Sequence, residues 1–430
     1  MMRIGRLALL VSAAVALAGP VASTAPADDV RVVPVTGEGA SYWTRWRGPS
    51  GQGVATGTGY TDTWSATENV KWRTAVPGIG HSSPILWKDH LFLTTSREGG
   101  TKVSMLAYNR RDGKLLWETP VPTKGNVEHI YAKNSHASAT ATTDGVRVYA
   151  SFGTHGMAAF DFKGTLLWHR TFGELNNYHG SAGSPVLYKD RLFLYQDHQG
   201  TANLKSFVAA FDVRTGETMW WKDRAETTGW GTPVVISTGV RDELIVSSQR
   251  KVYAYNPDTG EELWTVRGNT FEVIPTPVVG HGYVFCSSGR AGPTFAIRPG
   301  GSGDVTTSHV AWTSPRGSPF VPSSLVHGDL LYQINDMQSI LTVLHARTGE
   351  LAYQERLGIA MREGFSASPI SVGNLIYFTN DDGQTFVIEA GPTFKLRRVN
   401  ELKARVIASP ALVEGTWYWR TDKELLAIGP

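Results

Sequence analysis

Cysteine is almost absent. Cys286 stands alone in 430 residues, which excludes an intramolecular disulfide framework and any multi-cysteine zinc or iron–sulfur site. Charge is sparse too: 41 Lys+Arg against 38 Asp+Glu leave a net +3, and charged residues make up only 18% of the chain. They are scattered singly, so no clustered basic face points to nucleic acid. Beyond the N-terminus no apolar run reaches the roughly 20 residues of a spanning helix. Intrinsic disorder is equally excluded for the bulk of the chain, because 41% hydrophobic residues are enough to build a sizeable core.

At the N-terminus, Arg3 and Arg6 precede an apolar run over residues 7–18, then Gly19-Pro20 and small residues to Ala25-Pro26-Ala27. A basic start, a short apolar stretch and a small-residue end read as a cleaved secretory signal over 1–27. No cysteine follows it, so a lipid on a processed N-terminal Cys is not expected. The expectation is an exported monomer, periplasmic or extracellular and not lipidated, with a lead-in segment over 28–63 and a single domain over 64–430.

What is abundant is Gly, with 46, and Trp, with 14. Both recur in register. Ala107-Tyr108-Asn109 leads through Asp112-Gly113 to Trp117, and Ala159-Phe160-Asp161 through Gly164 to Trp168. Ala210-Phe211-Asp212 leads through Gly216 to Trp220, and Ala254-Tyr255-Asn256 through Gly260 to Trp264. A degenerate copy runs from His345 through Gly349 to Tyr353. The unit is a hairpin: the Asp or Asn side chain accepts from backbone N–H groups two residues on, and Gly supplies positive φ. A Trp repeated at one register is a packing element between repeats, and Trp72, Trp117, Trp168, Trp220, Trp264 and Trp312 take that role.

Ser83-Pro84, Ser184-Pro185, Thr232-Pro233, Thr276-Pro277, Ser368-Pro369 and Ser409-Pro410 each open an apolar strand, with Ser138-Ala139 and Ser323-Ser324 filling the gaps. The spacing is about 47 residues, the period of a four-stranded propeller blade. The fold class is therefore all-β: an eight-bladed β-propeller of antiparallel blades. The chain ends before the last blade's fourth strand, so Asn69-Val70-Lys71-Trp72-Arg73 is expected to supply it and close the ring.

The Ala, aromatic, Asp/Asn, Gly, Trp unit resembles the repeat of pyrroloquinoline-quinone (PQQ) enzymes and of the outer-membrane assembly lipoprotein BamB. Trp46-Arg47-Gly48-Pro49 with Gly53, Asn69-Val70-Lys71-Trp72, the stretch 298–304 and Phe365-Ser366-Ala367-Ser368-Pro369 are similar to exported bacterial PQQ-like propeller proteins. The resemblance implies, for PQQ alcohol dehydrogenases, adjacent cysteines against the quinone, a carboxylate-bound Ca²⁺ and a catalytic Asp. Cys286 has no neighbouring Cys and reads as a buried strand residue. For BamB it implies a lipidated N-terminal Cys, which is missing here.

Other motifs fail. Asn380-Asp381-Asp382-Gly383 lacks the EF-hand spacing and reads as a tight turn. His129 and His136 are not on a zinc-binding helix. No nucleophile elbow, P-loop or dinucleotide fingerprint occurs, and Gly300-Gly301-Ser302-Gly303 reads as an enlarged hairpin loop. No catalytic residue and no metal ligand are assigned. PQQ and Ca²⁺ remain the cofactors of an enzymatic alternative.

Ligands of propellers favour the mouth ringed by the loops that enter each inner strand. Here those loops carry His81, His136, His179, Trp230, Glu272, Arg316, Arg362 and Arg405. A mixed ring of imidazole, guanidinium and carboxylate suits a polar or anionic small ligand or an envelope protein partner, with binding sensitive to pH between about 5 and 8 through histidine.

Overall fold

The hairpin unit recurs through the chain because each copy satisfies its own turn. Asn109 Oδ1 accepts from Arg111 N at 2.8 Å, Asp212 Oδ1 from Arg214 N at 2.8 Å, and Asn256 Oδ1 from Asp258 N at 2.8 Å. The following glycines, Gly113, Gly216 and Gly260, all have φ near +70°. The computed structural model describes residues 30–123, 127–290, 292–359 and 364–430. The expected signal segment lies outside them.

Eight antiparallel sheets result. The inner strands are Ile85–Trp87, Thr142–Thr143, Val186–Tyr188, Val234–Ser237, Val278–Gly280, Leu325–His327, Ile370–Val372 and Ala411–Val413. They open blades one to eight. The inner strand of blade eight lies against that of blade one. Among the described residues no helix is long and apolar enough to cross a membrane.

Closure falls where the sequence puts it. Val70–Ala75 forms the outer strand of blade eight, antiparallel to Glu424–Ile428, with Trp72 opposite Ala427. The same pairing of Trp with Ala recurs at Trp117 and Ala107, Trp168 and Ala159, Trp220 and Ala210, Trp264 and Ala254, and Trp312 and Ala296. Four of these indoles bond to the next blade. Trp72 Nε1 donates to Arg110 O, Trp117 to Phe162 O, Trp168 to Val213 O and Trp220 to Pro257 O, at 2.9–3.1 Å. The ring also lies over the next blade's turn glycine. A Cβ on Gly216 would meet Trp168 at 2.7 Å, and one on Gly260 would meet Trp220 at 2.5 Å. The turn therefore needs glycine twice, for φ and for the neighbour's indole. Trp264 differs: blade five has the enlarged loop 298–309 in place of the tight turn, and Trp264 Nε1 donates to Glu243 Oε2 at 2.8 Å instead. Gly303–Asp304 of that loop pairs with the outer strand of blade four and covers its edge.

The Ser/Thr before each inner strand links the blades round the channel. Ser83 N donates to Thr140 Oγ1, Thr140 N to Ser184 Oγ, Ser184 N to Thr232 Oγ1 and Thr232 N to Thr276 Oγ1. Thr276 N, Ser323 N and Ser368 N continue the chain to Ser323, Ser368 and Ser409, each at 2.9 Å. In blade two the linking residue is Thr140, two places beyond the Ser138 suggested by sequence. A longer entering loop hides the offset. It follows that His136 does not share the position of His81 and Trp230; Ser138 does.

The lead-in 30–63 is a plug. Its backbone meets the inner strands: Trp43 O accepts from Leu86 N, Thr44 O from Thr143 N, and Gly53 O from Ser371 N. Arg31–Val32 pairs with the inner strand of blade four, Val54–Ala55 with that of blade seven, and Gln52 Oε1 accepts from Val279 N at 2.7 Å in blade five. The Trp46-Arg47-Gly48-Pro49 motif makes the plug's turn. Arg47 and Gly48 both have positive φ, and a Cβ on Gly48 would strike the Trp43 ring at 2.8 Å.

Candidate functional site

The expected site residues lie on the loops that enter the inner strands. The longest connection between blades is 121–141, against 225–233 before blade four. Its part 127–136 lies on the loop 177–181. Asn134 Nδ2 donates to His179 O at 2.8 Å, the Tyr131 and His179 rings are 5.0 Å apart, and Ser181 Oγ donates to Glu128 Oε2 at 3.0 Å. Lys133 then reaches Asp381 on the strand-two to strand-three turn of blade seven. Nζ and Oδ2 are 2.9 Å apart and Asp381 is 1% exposed. Blades two and seven are not neighbours, so this pair links separate sectors of the rim. Ser366 Oγ also donates to Asp381 Oδ2, at 3.1 Å. Burial raises the Asp381 carboxyl above its usual range, against the opposing pull of Lys133.

The expected residues fall into two groups. In the first, His179 Nε2 is 3.4 Å from Glu272 Oε1, and the His179 and Trp230 rings are 5.6 Å apart. Trp230 is buried and donates Nε1 to Gly180 O at 2.8 Å, so it is a wall of this group and not an open stacking face. Arg290 joins it, with Nε 3.5 Å from Glu272 Oε2 and its guanidinium 5.4 Å from the Phe320 ring centroid.

The second group surrounds His81. Burial, then the charges of Arg420, Arg405 and Lys133, bring its imidazole down to about 3. Arg420 is itself buried and donates Nη1 to Ser82 Oγ at 2.6 Å and Thr94 O at 2.9 Å; burial lowers it to about 9. The expected histidine switch between pH 5 and 8 is therefore corrected at His81: cations and desolvation keep it neutral throughout that range. His136 is also lowered, by burial and by His155. It packs over Gly100 apart from both groups. Arg316 is exposed, and its backbone N donates to Ser314 Oγ at 3.4 Å. Arg362 lies outside the described residues.

Sequence reasoning missed Lys133, Asp381 and Arg420. The length of the blade-two connection was the available signal for Lys133. Asn380-Asp381-Asp382-Gly383 is indeed a turn, with Gly383 N donating to Asn380 O at 3.0 Å, but a turn at the mouth also aims Asp381 inward.

A Ca²⁺-bound quinone does not fit these residues as the resemblance describes it. Cys286 is fully buried, and desolvation pushes its thiol far above the usual range. Among the described residues no three His, Cys, Asp or Glu side chains gather as a metal set. The mouth carboxylates Asp381 and Glu272 face Lys133 and Arg290.

Comparison with known proteins gives the relationships. The family described as Outer membrane protein assembly factor BamB matches residues 27–222 and 204–428. The Outer membrane protein assembly factor BamB of Kangiella koreensis is 27% identical over 138 residues, 30% of this chain and 32% of that protein, so the match spans about a third of that relative. BamB from Moraxella catarrhalis superposes with a TM-score of 0.59 at 13% identity, over 83% of this chain and 98% of that one. A europium-containing methanol dehydrogenase superposes with 0.64 at 9% identity, over 91% and 98%. At such identities the structural likeness speaks for the fold alone.

Proposed function

The chain belongs to the family of the outer membrane protein assembly factor BamB, and from that premise we propose that it is an exported, envelope-associated binding propeller. It works without chemistry of its own and takes a carboxylate-bearing ligand or acidic partner segment at the mouth. The observation that carries the reading is the group of Lys133, Arg405 and Arg420 around a neutral His81, with Asp381 the carboxylate among them. Guanidinium groups at a partly desolvated rim favour carboxylates through charge-assisted hydrogen bonds.

The test is binding of a fluorescent oligo-glutamate peptide to the full protein, with an oligo-lysine peptide as control. Expected is salt-sensitive binding of the acidic peptide alone, weakened at least about tenfold by Arg405→Glu. Equal binding of both peptides, or an unchanged Arg405→Glu variant, overturns the reading. The quinoprotein alternative predicts instead a stoichiometric absorbance change with PQQ and Ca²⁺, and dye reduction with simple alcohols.

A further inference from the structure

Residues 127–136 of the blade-two connection are fastened to three other blades. On the loop entering blade three, His179 O accepts from Asn134 Nδ2 at 2.8 Å and from Tyr131 N at 3.2 Å. Ser181 N and Oγ donate to Glu128 Oε2 at 3.1 and 3.0 Å. On the loop entering blade one, the His81 imidazole is hydrogen-bonded to the Lys133 backbone. The third fastening is the Lys133 Nζ to Asp381 Oδ2 pair of blade seven, at 2.9 Å. Blades one and three flank the origin of the segment, whereas blade seven does not. The segment is thus a strap along the rim, and the ion pair alone ties it to the distant blade.

The two ends of this pair are held differently. Asp381 N donates to Gly364 O at 2.8 Å and Asp381 O accepts from Val406 N at 3.1 Å, so the carboxylate is fixed in its blade. Its Oδ2 takes Lys133 and Ser366 Oγ, while its Oδ1 is buried with no hydrogen-bond partner. Lys133, by contrast, arrives on a long loop. A buried carboxylate with one oxygen unmet depends on its cation. An acidic ligand brings the same group to the same ammonium. Arg420 already spends Nη1 on Ser82 Oγ and Thr94 O, which leaves Lys133 as the cation that a loop movement can hand over. We propose that Asp381 is an internal competitor: it occupies the Lys133 ammonium, latches the strap 127–136 across the rim, and gives way when an acidic ligand takes its place. The competition rests on the acidic-ligand reading of the mouth; the latch does not.

Two readouts on the full protein separate these parts. Hydrogen exchange of the 127–136 backbone amides should quicken at least about tenfold in both Asp381→Asn and Lys133→Met, with the blade strands still protected. Binding of the fluorescent oligo-glutamate peptide should divide the same variants. Asp381→Asn should bind at least about fivefold tighter than the unaltered protein, and Lys133→Met more weakly. A purely structural ion pair would move both in one direction. Unchanged strap exchange in both variants overturns the latch, whatever the peptide does. A loosened strap with unchanged or lowered peptide affinity in Asp381→Asn overturns the competition. If neither the unaltered protein nor Asp381→Asn binds the peptide, the acidic-ligand reading falls and the competition with it, while exchange still decides the latch. Should Asp381→Asn fail to fold, Lys133→Met decides the latch. Displacement is then read in the unaltered protein, where saturating oligo-glutamate should quicken strap exchange, and unchanged or slowed exchange overturns it.

Discussion

His81 shows what a single side chain reveals about the mouth. A lone histidine in a polar loop reads from sequence as a titrating group, because its neighbours in space are far away in the chain. Folding brings Arg405 and Arg420 from blade eight and Lys133 from the blade-two loop to its ring. Its folded value, about 3, then lies below the ordinary 6.5. As pH falls from about 6.5 towards 3 the unfolded chain takes up this proton and the folded one does not, so stability is lost across that window and is fully present above it. Replacing His81 by Asn should make the fall in melting temperature between pH 6.5 and 4 shallower. An unchanged slope would show that His81 does not titrate as the surrounding cations require. Glu128 works in the opposite sense: burial raises it to about 7, so its contribution is complete below about 4.5 and lost as pH rises through 7.

At the scale of the element, the hairpin with its Trp was legible because every blade repeats it. Strand, turn, glycine and indole recur in one register, and periodicity is visible without contacts. The lead-in plug has no period and no repeat partner. Its hydrogen bonds go to blades far apart in the chain, so only its boundaries and its Trp-Arg-Gly-Pro motif are legible in the sequence. The indole contacts make quantitative expectations. Trp220→Ala or Trp264→Ala should cost about 3–5 kcal/mol in denaturant unfolding, since each removes a buried ring. Gly216→Ala should cost about 1–3 kcal/mol although it adds one methyl, because positive φ and the Trp168 ring both oppose it. Near-zero losses at both Trp220 and Gly216 would mean that the blade-to-blade contact is not formed in solution. The site was less legible than the fold: the ion pair of Lys133 with Asp381 joins loops no sequence pattern connects.

For the whole molecule, the N-terminal segment does two separable things: 30–63 closes the channel and 70–75 completes blade eight. Deleting 30–75 should give an insoluble product, because blade eight then exposes the Glu424–Ile428 edge. Deleting 30–63 alone should leave a soluble ring of lower melting temperature. A soluble, cooperatively melting 30–75 deletion would contradict closure by this strand. The same closure sets an order in time. The ribosome makes Val70–Ala75 long before their partner strand Glu424–Ile428. Gly53 likewise waits for Ser371. Early blades can form hairpins as they emerge, but the ring cannot close until Glu424–Ile428 has been made. Val70–Ala75 therefore waits unpaired while the intervening blades are synthesised, and closure of the propeller is a single event that follows them.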